Sequence, residues 1–210
     1  MRILGSKANW FFIGTILVIV VNILLFAVLG GSWAYRVRGD GSWHWESVLY
    51  FDPMIRSFLK SFTHFNWQHV LLNMLCFVVC GFYLERKIGS VKFVLLVLVM
   101  AFFTSMTVST NNASAGWQGF SGVNYGLYAY IIVDFLFSIK SSGKFNMLFG
   151  GVVLGLIYFA MCFNGGTESF GFEFYPYDLF NNLGHYSSAV AGLVLGLTIQ
   201  IVKIQNNNRV

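Results

Sequence analysis

The chain has 210 residues, of which 57% are hydrophobic, 19% aromatic and only 10% charged. A soluble domain carries about 25% charged residues, so these proportions exclude an ordinary water-soluble fold and a largely disordered chain, and predict a single all-α membrane domain. The formal charge of +5 is dispersed among apolar segments, which predicts no nucleic-acid partner, and Cys76, Cys80 and Cys162 lie in apolar runs as small packing residues rather than a disulfide framework.

Residues 1–9, with Arg2 and Lys7, read as a cytoplasmic N-terminus. Residues 10–30 form the first span, long enough at ~1.5 Å per residue to cross a ~30 Å hydrocarbon core. The span has no small-residue cleavage site, so it is expected to be retained rather than removed as a signal peptide. Residues 31–68 are too polar to span and too aromatic for a free loop (Trp33, Trp43, Trp45, Tyr50, Phe58, Trp67). They are expected to lie partly in the membrane interface, where Trp and Tyr are favoured. Further spans are predicted at residues 69–84, 91–110, 121–139, 145–163 and 185–202, with a loop at 164–184 and a cytoplasmic tail at 204–210. The single transmembrane domain thus covers residues 10–203.

Lysine and arginine orient the bundle. With the N-terminus inside, the inner segments hold nine (Arg2, Lys7, Arg86, Lys87, Lys92, Lys140, Lys144, Lys203, Arg209) and the outer segments four (Arg36, Arg38, Arg56, Lys60). The positive-inside rule then gives six spans, N-in and C-in. Spans 2, 4 and 6 all begin at the outer level, bringing His69, Ser121 and His185 to one depth.

Lateral contact is predicted by small residues. Ser188, Gly192 and Gly196 recur every four positions on span 6, and Gly122 and Gly126 do so on span 4. Two such faces let backbones approach closely. Ser121 adjoins Gly122, and His185 lies one turn before Ser188. Polar residues at this depth (His64, His69, Asn73, Thr104, Ser105, Ser109) would singly be interhelical hydrogen-bonding groups, but together they suggest a site. A serine hydroxyl becomes a nucleophile when a neutral imidazole takes its proton, so Ser121 with His185 can form a dyad. Tyr125, one turn below Ser121, can stack on His185. The Ser121 backbone N–H, the Asn73 amide and the His69 ring are the candidate oxyanion donors. Gly119 and Gly122 flank the serine and let the backbone turn sharply, and His64 is a supporting polar residue at the same depth. Asp134 is too near the inner end of span 4 to complete a triad and is expected to pair with a lysine or an interfacial group. No metal or cofactor is expected.

In this order, Arg56, His64, His69-x-x-x-Asn73, Glu85-Arg86 with Gly89-Ser90, Gly119-x-Ser121-Gly122 with Tyr125, and His185 with its glycine face resemble the rhomboid family of intramembrane serine proteases. The likeness runs from about Arg56 to Gly196. It implies a six-helix rhomboid-like bundle in the bilayer with a hydrated cavity open to the outer side. It further implies peptide-bond hydrolysis in or near the transmembrane segments of single-span substrates, and a place in a bacterial inner membrane. Residues 31–68 would be a membrane-embedded wedge, span 5 a gate, and residues 164–184 a cap. Ile55 stands where the family usually has tryptophan, Gly184 where it has alanine and Ser188 where it has glycine; each substitute stays small or apolar. The rival reading is a silent rhomboid-fold protein that binds transmembrane segments, and the retained Ser121 and His185 argue against it. A small transporter is the reading from another class; no inverted repeat supports it.

Overall fold

The computed structural model describes residues 12–29, 35–37, 43–45, 58–64, 67–109, 119–138 and 183–207. Among them are five long helices: α1 (Ile13–Leu29), α2 (Trp67–Ile88), α3 (Ser90–Ser109), α4 (Ser121–Ser138) and α5 (Leu183–Asn207). Between α1 and α2 lie two short strands, β1 (Tyr35–Val37) and β2 (Trp43–Trp45), paired antiparallel with Arg36 opposite His44. The aromatic content of residues 31–68 does not forecast this pairing. The expected span at 145–163, residues 164–182 of the expected loop and Cys162 lie outside the described residues, whereas residues 183 and 184, expected in the loop, open α5; Cys76 is half-buried and Cys80 buried.

Two helix ends lie four or more residues beyond expectation. The second span is expected to end at residue 84, yet α2 continues through Glu85, Arg86 and Lys87 to Ile88. The sixth is expected to end at residue 202, yet α5 continues to Asn207, so most of the expected tail is helical. Charge ends an apolar stretch without ending a helix, and basic residues in a last turn suit the negative end of the helix dipole. What stops α2 is Gly89, whose φ of +82° belongs to the left-handed region. Its N–H donates to the Glu85 carbonyl (2.8 Å), and its own carbonyl accepts from Phe93 (3.0 Å), opening α3.

Glu85 is the least expected structural residue. It is buried, and its carboxylate accepts from the N–H groups of Gly14 (2.7 Å) and Thr15 (2.9 Å) and from the Thr15 hydroxyl (2.6 Å). Those N–H groups belong to the first turn of α1, where no carbonyl of the same helix can reach them. Glu85 therefore caps α1 from a neighbouring helix, with its negative charge at the positive end of the dipole. Gly81, one turn earlier, leaves room for Thr15: a Cβ there would collide with the threonine side chain. Glu85→Ala should strip these donors of their acceptor and destabilise the protein by about 3 kcal/mol. Glu85→Gln, which keeps one oxygen, should cost less. Thermal unfolding in detergent checks both, and an unchanged Tm for Glu85→Ala would remove the cap from the stability account.

α4 is the central helix, with α2, α3 and α5 packed around it and most of its residues buried. Its most extensive partner is α5. A Cβ on Gly192 would fall inside the Gly126 carbonyl and 3.2 Å from the Ala129 Cβ, so backbone meets backbone. Gly122 departs from the expected face. Its neighbour is Thr104 of α3, whose Oγ1 would lie 2.8 Å from an added Cβ, so only the Gly126 end of that pair serves α5. The core beneath is aromatic: Phe77 stacks on Phe93 and meets Phe120 edge-on, all three fully buried. Outward faces are apolar instead of polar, as Leu71, Leu75, Val91 and Val194 show, a surface suited to lipid. Among the described residues, His69–Ile88 and Gly184–Asn207 are long and apolar enough to cross a membrane, and Ile13–Ala27 and Ser90–Met106 are shorter apolar helices.

The two ends of the bundle differ. At the end with the helical lysines, Asp134 accepts from Lys87, from the Tyr83 hydroxyl (2.9 Å) and from the Gln200 amide (2.9 Å), with Lys203 at 3.9 Å. The expected lysine partner of Asp134 is thus Lys87. The clasp ties the ends of α2, α4 and α5 together, far from the N-termini of α4 and α5.

Candidate active site

The N-terminus of α4 is set by a glycine turn. Gly119 has φ +130°, and a Cβ there would lie 2.7 Å from Cε1 and 2.9 Å from Nε2 of the His69 ring. Both the backbone conformation and the close approach demand glycine. The turn is tied to the preceding loop, since the Gly119 N–H donates to the Lys60 carbonyl (3.1 Å). The Phe120 N–H points at Nε2 of His64 (3.4 Å). His64 is buried beside His69, their rings edge to face at 5.1 Å. Burial, and secondarily His69, lowers the His64 pKa to about 3, so near neutral pH its ring is uncharged and can accept that N–H.

Asn124 is the first residue of α4 whose N–H finds an acceptor in its own segment, the Phe120 carbonyl at 3.1 Å. The Ser121 N–H therefore projects from the positive end of the helix dipole. The Ser121 hydroxyl lies 2.6 Å from Nε2 of His185 on α5. The Tyr125 ring stacks on the His185 ring with centroids 4.6 Å apart and planes inclined by 21°. Ser188, one turn on, is buried and donates to the Met100 carbonyl at 3.4 Å.

Asn73 is buried on α2, and its Nδ2 donates to the His69 carbonyl (3.0 Å). His69, Asn73, Ser121 and His185 thus come from the starts of α2, α4 and α5 and gather at one end of the bundle. Of the other expected polar residues, Thr104 packs against Gly122, but its hydroxyl donates to the Met100 carbonyl (2.8 Å) and the Ser105 hydroxyl to the Phe102 carbonyl (2.8 Å), both within α3. The side chain of Ser109 lies outside the described residues. One residue escapes the sequence reading: Asn124, whose amide donates to Asn73. A polar side chain one turn from the serine in an apolar helix is the available signal. Among the described residues no group of three or more His, Cys, Asp or Glu side chains could hold a metal ion.

The family model described as Rhomboid domain matches residues 52–201. The chain is 30% identical over 138 residues to the Rhomboid protease GlpG of Haemophilus influenzae, covering 63% of each protein. It is 30% identical over 130 residues to the protein of that name from Serratia proteamaculans, covering 62% of this chain and 45% of the relative. With that of Photorhabdus laumondii it shares 24% over 214 residues, 97% of this chain and 70% of the relative. The chain thus spans less than two thirds of the length of the first two. With a family match over well more than half of its residues and the serine and histidine starts of α4 and α5 side by side, the chain belongs to the rhomboid family.

Proposed function

We propose that this protein is an intramembrane serine endopeptidase that hydrolyses peptide bonds in or near the transmembrane segments of single-span membrane proteins, with Ser121 as nucleophile and His185 as general base. The observation that carries the reading is the 2.6 Å separation of the Ser121 hydroxyl from His185 Nε2, within the reach a base needs. A neutral His185 with its proton on Nδ1 accepts the serine proton at Nε2 as Oγ attacks the scissile carbonyl. The imidazolium then returns that proton to the leaving amine. Water, activated by the same nitrogen, releases the acyl group. Stacking on Tyr125 keeps the ring aimed, which a carboxylate does in a triad.

The oxyanion would be met by the Ser121 N–H, the Asn73 amide and the His69 ring, donors fixed before charge develops. Asn73→Ala should therefore slow cleavage by about 10²–10³-fold without abolishing it, and an unchanged rate would remove Asn73 from that role. The bundle is read as N-in and C-in in a bacterial inner membrane, with the site opening to the outer side. The Lys/Arg distribution supports the orientation, and the apolar outward faces and the bacterial relatives support the membrane setting.

The deciding experiment is labelling of detergent-purified protein with a fluorophosphonate, which traps activated serines. Wild type should label, and Ser121→Ala and His185→Ala should not. Labelling that persists in His185→Ala would overturn the dyad.

A further inference from the structure

Asn124 belongs to none of the sequence motifs, yet it is buried to 2% exposure against Asn73. It lies one turn after Ser121 on α4. Its Nδ2 donates to the backbone carbonyl of Asn73 (3.0 Å) and to the side-chain Oδ1 of Asn73 (3.4 Å). The other edge of the Asn73 amide is held on α2, where Nδ2 donates to the His69 carbonyl (3.0 Å).

We propose that Asn124 is a positioning residue that fixes which edge of the Asn73 amide faces the reacting carbonyl. This rests on the reading of Asn73 as an oxyanion donor. A primary amide has one accepting and one donating edge. Rotating the Asn73 amide by half a turn would set its NH₂ against the NH₂ of Asn124 and its Oδ1 against the His69 carbonyl. Both contacts would then be like against like. With Asn124 in place, one arrangement is favoured from both sides, and one of the two Nδ2 hydrogens is left over for the oxyanion. Without it the His69 carbonyl alone orients the amide, and the donor must be ordered during the reaction. Preorganised donors avoid that reorganisation.

Asn124 is not placed for stability alone. Among the described residues its own Oδ1 is buried without a hydrogen-bond partner, and an orphaned buried carbonyl is a cost. The Asn73 backbone carbonyl lies inside α2, where the helix supplies a donor of its own. An apolar residue of similar size at position 124 should thus fold about as well and react more slowly.

The test is a double-mutant cycle on a transmembrane reporter substrate in reconstituted vesicles, with kcat, KM and Tm measured for Asn124→Leu, Asn73→Ala and the pair. Asn124→Leu is expected to lower kcat by about 10- to 100-fold with KM within about twofold and Tm not lowered. In the Asn73→Ala background the same change should cost no more than about twofold in kcat. A normal kcat for Asn124→Leu, or a loss as large with Asn73 absent as with it present, overturns the proposal and leaves the oxyanion reading intact. A normal kcat for Asn73→Ala overturns the oxyanion reading, and this inference with it. Should Asn124→Leu fail to fold, Asn124→Ala enters the same cycle with the same expected outcomes.

Discussion

Ser121→Ala is expected to yield a folded protein that cuts a transmembrane reporter at background rate. The hydroxyl is small, and its principal contact is His185 Nε2. Its removal should leave the glycine turn, the Tyr125–His185 stack and the α4–α5 seam in place. The chemistry has no substitute. Asp134, the acidic residue of α4, is committed to Lys87 and Gln200 at the other end of the helix. Water could attack in place of serine, but without a covalent intermediate. Loss of a nucleophile of this kind costs roughly 10⁴–10⁶-fold in turnover. The measurement is cleavage in reconstituted vesicles beside the Tm of the same sample. Activity within tenfold of wild type in the folded variant would rule out Ser121 as nucleophile. His185→Ala should fall as far, and the double variant little further, because the two groups act as one unit.

Much of this site is legible in the amino-acid sequence. The basic residues order the helix ends, and the four-residue repeats of small side chains on α4 and α5 mark where two backbones can meet. Together they bring Ser121 to His185. What is not legible shares one cause: the choice of partner in space. Glu85, Arg86 and Lys87 look like the end of a span because charge and apolar length are the only local signals, yet Glu85 is buried and caps α1. Gly122 and Gly126 share one helical stripe, but α3 fills the space beside Gly122 and α5 the space beside Gly126. Thr104 and Ser105 carry the polar atoms of a site, but their hydroxyls are satisfied by their own helix. Asn124 carries no motif and takes its meaning from Asn73, 51 positions away. Periodicity names the face of a helix, but which neighbour that face meets depends on the whole bundle.

The α4–α5 seam gives the second large effect: Gly192→Ala should damage stability and turnover together. The added Cβ would overlap the Gly126 carbonyl oxygen and lie 2.9 Å from the carbonyl carbon. These are main-chain atoms of a helix that is itself enclosed by α2, α3 and α5, so they cannot swing aside as the tip of a side chain would. The two helices must instead move apart. That opens the Ala129 and Ser188 contacts on either side of the crossing, at an overpacking cost of about 1–3 kcal/mol. The same movement reaches the dyad. His185 lies two helical turns before Gly192 on α5, so a shift of α5 away from α4 draws its ring from Ser121 and from Tyr125. A displacement of about 1 Å between reacting groups can cost about 10²-fold in rate, so kcat should fall by that order while Tm drops. Leu193→Ala is the matched control: the next residue on the helix, 40% exposed on the outward face, should change neither quantity appreciably. Gly192→Ala with normal Tm and normal kcat would show that the helices do not cross this closely. A lowered Tm with normal kcat would show that the seam carries stability without setting the alignment of His185.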